Sequence, residues 1–380
     1  MYHFLITRFT RHRTLQFSVL FRNDNSRSFS VVSNTNAPNV VIQQHKWPNL
    51  VNSCGLSPEM ALKLLKRLEN KNPNVPNVVI QLLRNYGFSD SQLRSYLKKH
   101  PFVLLSKPEK TLLPKLNFLQ SIGVSTTDLP KILISNPNFL RSNLEKYIIP
   151  RYEVIRRFVR NDKEVVLTLK HGTWIFDDYS MVNHSVANIE ILRKLGVPQC
   201  SISLLVSNFP NVAFAKHSRF VEAVNSVKEM GFDPLMSYFV LALQVIAKLG
   251  KEKWESKIKI FGRWGWSRDM CLLAFQKYPL YMMTSEKKIM KSMNFLVNDV
   301  GLTPQDIVGC PAILFRSLEK TLIPRCAVIK ILKSRGLIKS GLRISTFVIM
   351  TEKTFLERYV TPFQKHLQLL LDAYKSQNSD

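Results

Sequence analysis

The stretch His100-Pro101-Phe102-Val103-Leu104-Leu105-Ser106-Lys107-Pro108-Glu109-Lys110-Thr111-Leu112-Leu113-Pro114-Lys115 decides the fold, because the chain repeats it. Its opening phrase returns as Asn136-Pro137-Asn138-Phe139-Leu140, Phe209-Pro210-Asn211-Val212-Ala213, Tyr278-Pro279-Leu280-Tyr281-Met282 and Cys310-Pro311-Ala312-Ile313-Leu314. The steps from Pro101 to Pro137 and from Pro279 to Pro311 are single periods. Those from Pro137 to Pro210 and from Pro210 to Pro279 are near doubles, so anchors are expected to be missing near Trp174 and Val245. Gly87, Gly123, Gly196 and Gly265 precede Pro101, Pro137, Pro210 and Pro279 by one constant interval, and Gly231 precedes Val245 by the same interval. Pro114, Pro150 and Pro324 likewise follow Pro101, Pro137 and Pro311 at a constant spacing. A period of about 35 residues is the mark of a solenoid.

Each period reads as helix, turn, helix, turn. Leu112, Leu116 and Leu119 in one unit, and Ile189, Leu192 and Leu195 in another, form apolar stripes at helical spacing before the glycine. The glycine suits a left-handed helix C-cap. A shorter second helix follows, as in 125–135 or 303–308, and the anchor proline ends it by disfavouring helical backbone in the residue before. Ser106-x-x-Glu109 and Ser142-x-x-Glu145 have capping-box spacing for the next helix, with Pro114 and Pro150 one turn in. No strand-like alternation persists, so the class is all-α: a superhelix of about eight units. At roughly 9 Å per helix layer it would extend about 70 Å, the length of roughly 20 base pairs. The expected organisation is a leader over 1–29, a linker over 30–54, a repeat array over 55–345, and a C-terminal cap and tail over 346–380. The cap carries the stripe Phe363, Leu367, Leu370, Leu371 and Tyr374.

The 380 residues hold 54 Lys and Arg against 27 Asp and Glu, a formal charge of +27 and a pI near 10.0. The excess is segregated. Residues 55–160 carry 18 basic and 7 acidic side chains, residues 161–250 carry 8 of each, and residues 251–345 again carry 18 and 7. Two basic lobes around a neutral waist point to a polyanion as partner. The longest near-continuous apolar run is Met236–Ala247, and it is interrupted by Gln244. Bilayer-spanning helices need a longer stretch, roughly 20 residues, so no membrane insertion is expected. With 13 glycines and no glycine-rich loop, the chain offers no phosphate cradle of the nucleotide-enzyme kind. Residues 1–34 have five Arg, no Lys and one acid, Asp24. This Arg-rich, acid-poor composition is that of an organelle transit peptide, with cleavage placed near Phe29. The mitochondrial matrix is the first destination, the chloroplast the second.

The phrase Pro-x-aliphatic-Leu, followed by Ser-x-x-Glu-Lys and then Leu-x-Pro-Lys/Arg, resembles the mitochondrial transcription termination factor (mTERF) family, in its plant branch. The best matches are 101–123, 137–157 and 279–335, within a resemblance covering about 55–371. It implies a right-handed superhelix of three-helix units whose positive concave surface holds double-stranded nucleic acid. It also implies a role in organellar gene expression: transcription termination or initiation, transcript maturation, splicing or ribosome assembly.

The recurrence itself picks out the candidate contacts. Lys110, Lys146 and Lys320 share one repeat position, each after a Glu, and Lys115, Arg151 and Arg325 share another, each after a Pro. With Arg156, Arg157, Lys291 and Arg316 they are expected to line one edge, as a regularly spaced phosphate backbone requires. Arginine adds bidentate phosphate binding. If six to ten phosphates are neutralised, affinity falls roughly 10³–10⁵-fold between 50 and 200 mM salt. A solvated helix face is the plain alternative for any single lysine, and Lys107, Lys287 and Lys288 read that way. Trp174, Trp254, Trp264 and Trp266 read as core, with base stacking as the alternative. The five cysteines include no C-x-x-C pair, no H-E-x-x-H occurs, and the adjacent acids Asp177 and Asp178 read as a solvated loop. Neither an enzyme nor a metal or other cofactor is therefore expected. The reading is a monomeric regulator of organellar transcription that clamps double-stranded DNA and blocks the polymerase. Binding of structured organellar RNA, and a protein-binding scaffold, are the alternatives.

Overall fold

The computed structural model describes residues 55–68, 74–172, 180–339 and 341–366. The leader 1–29, the linker 30–54, Trp174, Asp177, Asp178 and the distal stripe Leu367, Leu370, Leu371 and Tyr374 lie outside the described residues. Every regular element among the described residues is helical, and none is a strand. The chain divides into two compact units, Met1–Val182 with Val206–Asn211, and Asn183–Leu205 with Val212–Asp380. Both are built from the same piece: a first helix, a glycine turn, a second helix and a tight anchor turn.

The anchor prolines dictate the local geometry. The residues before them are held out of the helical region, with φ/ψ of −132°/54° at His100, −124°/70° at Asn136, −156°/83° at Tyr278 and −146°/68° at Cys310. The second helices 90–99, 268–277 and 304–309 end there. Pro101, Pro279 and Pro311 then open 3₁₀ turns, Pro101–Leu105, Pro279–Met283 and Pro311–Phe315. Pro114, Pro150 and Pro324 shape the first helix that comes next. Leu113, Ile149 and Ile323 each donate their N–H five residues back, to the carbonyls of Pro108, Leu144 and Leu318. The residue after each is a proline, which has no N–H and whose ring crowds the carbonyl four back. A single wide π turn absorbs both faults. The regular helices Leu113–Ser121, Ile149–Phe158 and Ile323–Ser334 follow from it.

Three local expectations shift. The helix caps fall one residue later than Ser106 and Ser142. The Asn143 side chain accepts the Lys146 N–H at 2.7 Å, and Ser317 accepts that of Lys320 at 3.2 Å. Ser142 still belongs to the preceding turn and donates to the Asn138 carbonyl. Val245 marks no lost turn either. It is buried inside the long element Ser237–Gly262, and the chain breaks instead at Gly250, whose φ of 69° and ψ of 168° only glycine adopts cheaply. The boundary expected at 345 falls inside the short helix Ile344–Val348.

The stripes close the core. Leu112, Leu116, Leu119, Ile189 and Leu192 are fully buried, as are Phe139, Phe261, Phe275 and Tyr281. Trp254 packs edge-on against Phe275, and Trp266 stacks on Phe261 with centroids 4.8 Å apart. Both tryptophans are therefore core residues. The five expected C-cap glycines, Gly87, Gly123, Gly196, Gly231 and Gly265, all have φ between +76° and +96°. They are not equivalent, however. A Cβ on Gly87 would be driven into the backbone carbonyl of Thr126, at the start of the next repeat's second helix, whereas one on Gly123 would meet nothing within 4 Å.

This contrast sets a test. Gly123→Ala should cost roughly 1–2 kcal/mol for its left-handed backbone alone, and Gly87→Ala a further 1–3 kcal/mol or so for the clash. Equal shifts of the urea midpoint in the two variants would refute the close inter-repeat approach at Gly87.

Candidate nucleic-acid interface

The repeat puts its two recurrent cations in opposite environments. Lys110, Lys146 and Lys320 are exposed, each the third residue of a π turn at a first-helix start. Lys291, on the helix Glu286–Asn294, and Arg157, near the end of the helix Ile149–Phe158, are exposed too. Among the described residues no carboxylate lies within ion-pair distance of Lys110, Lys146, Lys291 or Lys320. Lys146 stands 5.5 Å from the Tyr147 ring centroid. The position is electrostatically unfavourable for a cation, because a helix N-terminus carries partial positive charge from its unpaired N–H groups. The preceding Glu109, Glu145 and Glu319 suit that dipole, and the lysines do not.

The residues after the prolines are a correction to the expected contact set. Lys115, Arg151 and Arg325 are only 7%, 5% and 3% exposed. Lys115 and Arg325 sit on the helix face that packs against the following repeat. Lys115 donates its Nζ to the Leu140 carbonyl at 2.6 Å. Arg325 donates Nη1 to the carbonyls of Phe347, Val348 and Met350 at 2.9, 3.1 and 2.9 Å. Its Nη2 meets Glu352 at 3.0 Å, and its guanidinium lies 4.7 Å over the Phe355 ring. These side chains are inside the protein and are withdrawn from the phosphate-contacting set. Arg156 is half-buried and paired with Asp162 at 3.0 Å. Arg316 is half-buried with Nη2 donating to the Ile349 carbonyl at 2.7 Å.

Two further inward cations escaped the sequence reading. Lys257 is buried and donates to the Thr284 carbonyl at 2.5 Å, and the half-buried Lys288 donates to that of Phe315 at 2.9 Å. Their acceptors belong to the carbonyl ends of anchor turns, as for Lys115. Lys257 was hidden because its helix has no proline and no π turn. Without that extra residue the inward position follows the exposed Lys253 by four instead of five, in phase with buried Trp254 and Phe261. Burial holds Lys115, Lys257 and Lys288 below the ordinary lysine pKa; for Lys288 the nearby Glu319 carboxylate opposes the shift.

A groove of about 310 Å³ is lined by Val78, Gln81, Leu82, Asn85, Pro108, Glu109 and Leu113. His171 and His217 are tied to the Ser207 carbonyl and the Asn188 side chain. Among the described residues no three His, Cys, Asp or Glu gather as a metal site, and no helix is long and apolar enough to cross a membrane.

Helical repeats that open with an outward lysine and are tied to the next by an inward cation define an α-helical repeat protein with recurrent surface cations. The mTERF family profile matches residues 80–244 and 240–356, and the chain belongs to that family of nucleic-acid-binding organellar regulators. It is 22% identical to the mitochondrial transcription termination factor MTERF15 of Arabidopsis thaliana, over 344 residues that make up 87% of this chain and 67% of that protein.

The two cation classes should separate on mutation. Arg325→Ala leaves three backbone carbonyls without their donor and should cost about 2–4 kcal/mol, while Lys110→Ala should stay within about 0.5 kcal/mol of wild type. A pH series tests the inward lysines. In the window between their depressed folded pKa and the unfolded value of 10.5, the unfolded chain binds more protons. Stability contributed by Lys115 and Lys257 therefore rises with pH there. Wild type should gain on the Lys115→Met/Lys257→Met variant as pH climbs from 7 towards 10.5. A gap that narrows over that range contradicts the burial.

Proposed function

We propose that this chain binds double-stranded nucleic acid, DNA in the first place, through its exposed recurrent lysines and regulates organellar transcription, including its termination. The observation that carries the reading is the recurrence of Lys110, Lys146 and Lys320 at first-helix starts, where their own helix dipole opposes a cation. Stability offers no reason for a lysine there. A phosphate does, since the lysine and the helix N–H groups then face the same anion. The mechanism is a roadblock: phosphate contacts from the exposed lysines hold a duplex, and the bound protein obstructs the polymerase. The protein acts as a monomer in the mitochondrial matrix, to which residues 1–29 address it. The name of the Arabidopsis relative, a mitochondrial transcription termination factor, supports termination and that compartment.

Removing the buried cations from the contact set lowers the expected salt response. With about five exposed contacts, Lys110, Lys146, Arg157, Lys291 and Lys320, log K should fall against log salt with a slope of about −4 to −5. That is roughly a 10²–10³-fold loss of affinity for a DNA duplex between 50 and 200 mM. Changing Lys110, Lys146, Lys291 and Lys320 together to Glu should abolish binding while leaving the unfolding midpoint near wild type. A flat salt response, or binding retained in that variant, removes the proposal. Tighter binding to structured RNA than to the duplex in direct competition redirects it to an RNA target.

A further inference from the structure

Three repeats contain the same six-residue phrase: Lys-Thr-Leu-Leu-Pro-Lys at 110–115, Lys-Tyr-Ile-Ile-Pro-Arg at 146–151 and Lys-Thr-Leu-Ile-Pro-Arg at 320–325. Its first cation faces solvent and its last is buried, so the last cannot itself touch a phosphate. What it touches is informative. Lys115 donates to the carbonyl of Leu140, six residues before the exposed Lys146 and in the turn that leads into the helix bearing it. Lys288 donates to the carbonyl of Phe315, five residues before the exposed Lys320 and likewise in the turn leading to it.

The geometry points to Lys115 and Lys288 as positioning residues for nucleic-acid binding, each setting the place of one particular outward lysine in the next repeat. This rests on the binding function proposed above. The path is short and covalent after the hydrogen bond. The inward cation holds the carbonyl end of the anchor turn. That turn leads directly into the cap at Asn143 or Ser317, whose side chain accepts the N–H of Lys146 or Lys320. Loss of the inward donor leaves a carbonyl unpaired, and the turn shifts to reach water. The outward lysine moves with it. Lys115 therefore acts on Lys146, and Lys288 on Lys320.

This pairing distinguishes positioning from general support of the fold. Binding of a labelled mixed-sequence DNA duplex to the full chain is measured over a salt series. The proteins are wild type, Lys115→Met, Lys288→Met, Lys146→Ala, Lys320→Ala and all four inward–outward double variants, at a temperature where each is folded by circular dichroism. Matched doubles, Lys115→Met with Lys146→Ala and Lys288→Met with Lys320→Ala, should lose about two- to tenfold less affinity than the product of the single losses, within the coupling found for residues in one network. In them the second substitution should not steepen the loss of salt slope. Crossed doubles should multiply to within about twofold. Lys115→Arg, which keeps a donor, should bind nearly as wild type. Multiplicative losses in matched and crossed pairs alike overturn the positioning role and leave the binding function standing. So does a matched double that loses two contacts of slope, since the inward cation would then be touching phosphate itself. Absence of salt-dependent binding by wild type overturns the binding function, and the positioning role with it. If Lys115→Met does not fold, the Lys288 arm decides by the same criteria, Lys288 being only half-buried.

Discussion

A turn that ends a helix leaves carbonyls with no partner of their own, and in this protein those carbonyls are packed against a neighbouring repeat. Much of the structure depends on how they are satisfied. Several donors are cationic: Lys115 at Leu140, Lys257 at Thr284, Lys288 at Phe315, and Arg325 across Phe347, Val348 and Met350. A neutral asparagine can also serve, as Asn188 does by donating Nδ2 to the carbonyls of Ala213 and Ala215. An ammonium or guanidinium offers several N–H groups, and its charge strengthens each bond. Burial works against these cations, as the depressed lysine pKa values show, so the contact must be well made to persist.

The same arrangement changes what the net charge means. A formal +27 invites the inference that most basic residues face the partner. Within the recurring phrase, half of the cations face inward and hold repeat to repeat. The charge available to a polyanion is the outward half, standing at helix starts where it contributes nothing to helix stability. One short phrase thus carries an assembly element and a surface element, separated by a π turn and a proline.

Prolines and glycines do complementary work in this scheme. The anchor proline ends the second helix, the later proline at 114, 150 and 324 widens the next first helix by one residue, and the turn at Gly87 lets two repeats approach closely. Where a repeat lacks the anchor, as along Ser237–Gly262, one glycine with a backbone only glycine tolerates breaks the helix instead. The register survives the loss of one marker because the others still hold the core stripes in phase.

Much of this was legible in the chain itself. Periodic prolines and glycines act through backbone sterics, which are local, so helix ends, left-handed caps and the all-helical class could be read directly. Leucine stripes at helical spacing named the buried faces, as Leu112, Leu116 and Leu119 illustrate. Recurrence also identified the two cation positions. It did not tell them apart, because Lys110 and Lys115 are both lysines near a helix start, and their difference arises only when a second repeat covers one face. The carbonyls that receive Lys115 and Arg325 belong to distant residues, Leu140 for the one and Phe347, Val348 and Met350 for the other. Burial and long-range hydrogen bonding belong to the packed structure, and they decided which positive charges face out.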